Sequence, residues 1–217
     1  MSSKYIQTEG IVLKRINYKD SDKIITIYTK DLGKISCTAK GIRKVNSRKK
    51  SHLELLNLTN IYIVESHGRY IITQAQSTST FQNIKKDLQS TQMAYYILEI
   101  FEKLIPEHEA NLNLFRFITK TIEYLNIQTS PNILNAFNIK LLRILGFYNR
   151  SEIQQLPKNM KEYINRLETS EYKDIINIEE DYEVTKNTHL FLRDYTEGVL
   201  ERQIKTQVTL IEPNLFV

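Results

Sequence analysis

The chain has 217 residues, of which 41% are hydrophobic and 10% aromatic, enough to bury a core and too many for a disordered polymer. Its single cysteine, Cys37, excludes an intrachain disulfide and a cysteine-built zinc site, and no stretch of about 18 uncharged apolar residues is present to cross a membrane. The formal charge of +5 is unevenly spread: residues 1–80 hold fourteen Lys or Arg against six Asp or Glu, and the remainder sixteen against nineteen, so one end is suited to a polyanion.

In chain order, the first pattern is β-type. Runs rich in Ile, Val, Thr and Tyr occupy 6–16, 23–29, 34–40, 53–65 and 70–76, with turns at Asp31-Leu32-Gly33 and Ser66-His67-Gly68. Five short strands suit a small closed sheet, for which an OB-type barrel is the commonest answer. After Thr80 the period becomes helical: Met93, Tyr96, Ile97, Ile100, Phe101 and Leu104 share one face, as do Leu114, Phe117, Ile118, Ile122 and Leu125. A third helix opens at Ser130-Pro131 and directs Leu134, Phe137, Leu141, Ile144 and Leu145 inward until Gly146. Short helices are expected near 160–167 and 172–176 among long loops, and a last one over 187–200. The fold class is α+β: a five-stranded OB-fold β-barrel over residues 1–79, then an all-α domain over 80–217.

Catalytic patterns are sparse. The six glycines (10, 33, 41, 68, 146, 198) are too far apart for a phosphate-cradling loop, and His52, His67, His108 and His189 are dispersed, each reading as a surface or loop residue. Asp20-Ser21-Asp22 is a close carboxylate pair; a polar turn before the second strand explains it better than the divalent-metal nuclease it would otherwise suggest. Neither an enzyme nor a cofactor is expected.

The densest feature is TAKGIRKVNSRKKSH, residues 38–52, between the third and fourth strands. Lys40, Arg43, Lys44, Arg48, Lys49 and Lys50 repel one another unless a polyanion neutralises them, and a phosphate backbone does so while releasing counterions. Lys14, Arg15, Lys23 and Lys34 on neighbouring strands extend this set, so nucleic acid is favoured over a loop that merely aids solubility. Tyr5, Tyr18, Tyr28, Tyr62 and Tyr70 are available for base stacking, and the pattern leaves open which of them face outward.

The run NYKDSDKIITIYTKDLGKISCTAKGIRKVNSRKKSHLELLN, followed by a hairpin ending in TQAQ, closely resembles the N-terminal domain of the RecO family of DNA repair proteins. Carrying the resemblance are the Tyr-x-x-x-Asp-(Lys/Arg)-Ile opening of the second strand, Thr29, Gly33, Ala39-Lys40-Gly41-x-Arg43-Lys44, Ser47 and Leu53-Glu54-Leu55. The helical body, with KLLRILGF at 140–147, agrees more loosely. The family's phrase leads into a four-cysteine zinc module, whereas residues 148–186 contain no cysteine.

The resemblance implies a non-enzymatic, cytoplasmic, nucleoid-associated recombination mediator. Such a protein binds single- and double-stranded DNA, anneals complementary strands, and works with RecR and the single-stranded-DNA-binding protein to help RecA load. It associates Lys40 and Arg43 with DNA contact. It also implies that the helical domain receives the acidic tail of the single-stranded-DNA-binding protein, for which Phe137, Lys140, Leu141 and Arg143 are the candidate pocket and rim. An RNA-binding OB protein of translation or RNA processing is the competing reading of the same basic barrel.

Overall fold

A computed structural model describes residues 4–179 and 181–210. Five strands, β1 (Lys4–Tyr18), β2 (Asp22–Thr29), β3 (Gly33–Ala39), β4 (Leu58–Ser66) and β5 (Arg69–Ser79), precede the helices. These are α1 (Gln82–Lys86), α2 (Leu88–Leu104), α3 (Leu112–Ile127), α4 (Pro131–Ile144), α5 (Arg150–Gln154), α6 (Lys158–Thr169), α7 (Tyr172–Ile175) and α8 (Tyr182–Leu200). The chain divides into two compact units: one extends to residue 82 and includes Leu98–Thr119, the other comprises Asn83–Ile97 and the chain from Lys120 onward.

In the first unit the strands close into a barrel in the order β1-β2-β3-β5-β4. Every pairing is antiparallel except β3 with β5, which run parallel at Cys37↔Tyr70 and Thr38↔Ile71. β1 is long because it serves two partners, β4 along its first half and β2 along its second. Gly10 pairs with both Thr59 and Thr29, and a Cβ there would collide with the methyl groups of Ile27 and Thr29. Inward alternation buries Val12, Ile25, Ile27, Ile35, Cys37, Ile61, Ile63 and Ile72. The β4–β5 turn places His67 and Gly68 at positive φ, the geometry of a two-residue hairpin.

The connection from β3 to β4 is folded against the barrel. Ile42, Leu53 and Leu56 are at most 1% exposed, and Ile42 and Leu53 join the barrel core. Successive backbone bonds, Lys44 to Gly41, Ser47 to Lys44, Leu53 to Lys49 and Leu56 to Val12, fold it into a cap. Residues 53–57, expected to begin the fourth strand, therefore belong to this cap. Leu53 and Leu55 supplied an apolar alternation that packing uses without strand pairing.

In the second unit, Ser130 caps α4 by accepting the N–H of Asn132, with Pro131 in the first turn. Residues 132–139 are all buried, so α4 is a central helix and more than a one-sided one. Three asparagines at a spacing of three donate to carbonyls on it and around it. Asn132 donates to the carbonyls of Ile175 and Ile178 and accepts from Tyr163; Asn135 donates to the Thr185 carbonyl, and Asn138 to that of Leu134. Ile144, expected inside, is 47% exposed, because it lies past the last buried turn. His189, expected at the surface, is 3% exposed on α8 with its ring 5.4 Å from that of Tyr96.

Glu168 ties α6 to the end of α4 and to the stretch that follows it. Its carboxylate takes Arg143 at 2.6 Å and the Tyr148 hydroxyl at 3.0 Å, with Arg150 at 3.9 Å. These residues do not fit a zinc ion of the family's kind: they provide no thiol, and the 7%-exposed carboxylate of Glu168 is already committed to cations and a hydroxyl. The short helices expected near 160–167 and 172–176 are α6 and α7, and the stretch before them, expected as loop, holds the additional short helix α5.

Candidate nucleic-acid interface

The outer surface of β2 and β3 is divided along its length. At one end, Tyr28 and Lys34, neighbours in register, are covered by the chain at 98–111. Tyr28 packs edge-on against Phe101 with ring centroids 5.0 Å apart, and its hydroxyl donates to the Asn111 carbonyl. Lys34 is 8% exposed and donates to the Glu102 carbonyl at 2.6 Å. Lys14 reaches the side chain of the same glutamate at 3.1 Å. Lys34 therefore anchors the fold and is not a solvent-facing cation; burial lowers its pKa against the pull of Glu102 and Glu107.

At the other end the surface is open. Register sets Ile24, Thr38 and Ile71 side by side across β2, β3 and β5, and all three point outward because Ile25, Cys37 and Ile72 point in. They floor a depression of about 380 Å³ rimmed by Tyr18, Lys19, Asp22, Lys40 and Arg69. Tyr18 is 40% exposed, and the Lys19 ammonium lies 5.3 Å from its ring centre.

Beside this depression the basic cap is bound to the β1–β2 turn. The N–H of Arg43 donates to the Ser21 carbonyl at 2.9 Å, that of Gly41 to Asp22 Oδ1 at 2.7 Å, and the Arg43 guanidinium to the Lys19 carbonyl at 3.4 Å. This folding gathers cations that are far apart in sequence. Partial burial, and then the positive charges of Arg15, Arg43 and Lys50, push the Lys23 pKa down. Four predicted residues thus share one electrostatic neighbourhood, and Lys40 stands over the depression. Lys44 and Arg48 are exposed on the cap.

Lys49 differs from its neighbours. Its ammonium donates to the Ile72 carbonyl at 2.9 Å, and burial lowers its pKa, so it straps the cap to β5. Of the tyrosines, Tyr5, Tyr18 and Tyr62 are exposed and Tyr28 is fully buried. The sequence pattern does not single out Lys19, Arg69 or the Ile24–Thr38–Ile71 floor. Cross-strand register brings these together, and only the charge of Lys19 and Arg69 hints at them in the sequence.

Asp22 serves as the clasp described above, and among the described residues no group of three or more His, Cys, Asp or Glu is placed to hold a metal ion. In the second unit the candidate partner pocket does not form. Phe137 and Leu141 are 0% exposed, Lys140 donates to the carbonyls of Glu168 and Ser170 at the end of α6, and Arg143 is paired with Glu168. Their helical spacing reflects core packing and a capped helix terminus.

Two family models match in tandem: "Recombination protein O N terminal" over residues 1–81 and "Recombination protein O C terminal" over 85–152. The chain belongs to the RecO family. It is 35% identical over 148 residues to the DNA repair protein RecO of Caldanaerobacter subterraneus subsp. tengcongensis, covering 66% of this chain and 59% of that protein. It is 33% identical over 142 residues to that of Dehalococcoides mccartyi (65% and 56%), and 31% over 141 residues to that of Listeria monocytogenes (64% and 55%). The matched region spans less than three-fifths of the length of these curated RecO relatives. No helix among the described residues is long and apolar enough to cross a membrane.

Proposed function

We propose that this RecO-family chain acts in DNA repair as a recombination mediator that binds DNA through its barrel and promotes the pairing of complementary strands. The carrying observation is the convergence of Arg15, Lys23, Arg43 and Lys50 beside a depression that offers Tyr18, an apolar floor and the cations Lys19, Lys40 and Arg69. The strand order, with β3 and β5 parallel and β1 shared between β2 and β4, supports reading the barrel as OB-type. Such barrels hold single strands by combining a cationic track with surfaces on which bases stack.

Annealing makes no covalent bond. It requires neutralisation of two polyanions and interactions loose enough for bases to search for partners. Exposed Lys44 and Arg48 on the cap suit the first requirement, and an open depression with a single exposed ring at its rim suits the second. RecR, the single-stranded-DNA-binding protein and, indirectly, RecA are the partners that go with this reading, and the nucleoid is the place.

The test is annealing of complementary oligonucleotides by the full chain, with and without the host's single-stranded-DNA-binding protein. Acceleration that persists on strands coated by that protein supports the reading; no acceleration on bare strands overturns it. Competition with RNA of matched sequence tests the alternative role in RNA metabolism, since the 2′-hydroxyl is the discriminating group.

A further inference from the structure

The outer face of α8 carries a trough that the core of the second unit does not account for. Glu152 of α5 and Phe191, Asp194, Tyr195, Gly198 and Val199 of α8 line an open groove of about 450 Å³. Its charge is negative, as is the balance of residues 81–217. Its walls present two carboxylates, both exposed, with no ion pair to either among the described residues. Among the described residues the Glu152 carboxylate accepts only a long bond, 3.3 Å, from the Asn149 amide.

The aromatic side chains are fixed in place. The Tyr195 hydroxyl donates to the Phe147 carbonyl at 2.6 Å and accepts the Asn149 N–H at 3.0 Å, and the Phe191 ring lies 6.0 Å from that of Tyr195. Gly198 adds depth. A glycine inside a helix is unfavourable relative to alanine, and a Cβ here would meet nothing within 4 Å, so internal packing does not require the missing side chain. Leu190, 48% exposed, continues the apolar surface. With Asp194 and Gly198 at successive spacings of four it forms one stripe about 12 Å long.

We infer that this trough docks a basic, apolar peptide segment of a partner protein. An Arg or Lys of that segment lies over the Phe191 and Tyr195 rings with its charge against Asp194 and Glu152, while apolar neighbours cover Leu190 and Val199. Phosphate is repelled from the same walls, which sets this surface apart from the proposed DNA face. A lone amine would leave the length of the stripe unused.

The probe is a fluorescein-labelled peptide repeating Leu-Arg-Ala-Phe, followed by anisotropy on the full chain, with a control peptide carrying Glu for each Arg. The basic probe binds and the acidic one does not. Asp194→Lys and Gly198→Leu each weaken binding at least about tenfold, Asp194→Asn does so less, and Asp174→Lys on α7 has no effect. Circular dichroism checks that each variant is folded, and Asp194→Asn keeps the test open if the reversal misfolds. Equal binding of both peptides, or full binding by Gly198→Leu, overturns the proposal. So does sedimentation showing that the chain self-associates through this face and that Asp194→Lys abolishes it, because the occupant is then a second copy.

Discussion

The carboxylate of Asp22 accepts the backbone N–H of Gly41 at 2.7 Å, and that bond ties the basic cap to the β1–β2 turn. It is the largest influence holding the Asp22 carboxyl below its usual 3.8; partial desolvation opposes it, and Ser21, Lys19 and Lys40 assist. A depressed carboxyl stabilises the fold above its unfolded pKa and loses that contribution as pH falls through the lowered value. The clasp is therefore closed throughout the neutral range and is lost only in acid, below the usual carboxylate range. At pH 7, Asp22→Ala should accelerate amide exchange at Gly41 and Arg43 while the core strands keep their protection. Unchanged protection at Gly41 would show that the cap is held by other means.

The cations fall into two sets that should respond differently. Replacing Arg15, Lys23, Arg43 and Lys50 with Ala should weaken binding to every DNA sequence. It should also flatten the dependence of affinity on salt by roughly 0.7 in slope for each single-strand phosphate that is no longer neutralised. Lys34→Met should leave that slope alone and cost roughly 1–3 kcal/mol of stability, because the Glu102 carbonyl loses its buried donor. Filter binding across a salt series, paired with urea unfolding, separates the two. Equal slopes for both variants would remove the electrostatic assignment.

Tyr18 stands at the rim of the depression, 40% exposed, where a base can lie on its ring. Tyr18→Ala should reduce single-strand affinity by about 1–3 kcal/mol, the usual worth of one stacked base, and leave duplex affinity nearly unchanged. Tyr62→Ala, equally exposed but outside the depression, is the control. An anisotropy titration in which both variants match the parent protein would exclude stacking at this position.

Much of this arrangement was legible in the sequence, for reasons that can be located. Strand positions followed from alternation because Ile25, Ile27, Cys37 and Ile72 have only one core to face. The start of α4 followed from Ser130-Pro131, a local signal that tertiary packing does not override. What could not be read depends on pairing across the chain. Lys34 and Lys49 look identical to Lys40 and Lys50 until register and the cap fold set their ammonium groups on the carbonyls of Glu102 and Ile72. Likewise Phe137, Lys140, Leu141 and Arg143 spell an amphipathic face, and only the position of α6 shows that the face is covered.

Glu168 makes a further prediction about the segment that lacks cysteines. Burial is the main reason the Tyr148 hydroxyl is pushed up to about 12, and its bond to Glu168 adds to this. Glu168→Ala removes the acceptor of that hydroxyl and the partner of Arg143, and should cost roughly 1–3 kcal/mol, read as a lower midpoint in thermal unfolding. Treatment with a chelator should leave the midpoint of the parent protein where it was. A chelator-induced drop would mean that a metal ion contributes to holding α6 against the stretch that follows α4.

His189 gives the second unit a pH dependence of predictable sign. Burial, and secondarily the charge of Arg193, lowers its pKa from 6.5 to about 4, so the folded protein keeps the imidazole neutral. The unfolded chain takes up the proton near pH 6.5 and the folded chain does not until about pH 4, so stability falls as pH drops through that interval and is unaffected above it. A difference of that size corresponds to about 3 kcal/mol across the whole window. Urea unfolding of the parent protein and of His189→Phe at pH 7.5, 6, 5 and 4.5 measures it. The parent should lose stability progressively below pH 6.5, and the variant, whose ring fills the same space beside Tyr96 without titrating, should lose distinctly less. Parallel curves for the two proteins would assign the acid sensitivity to other groups.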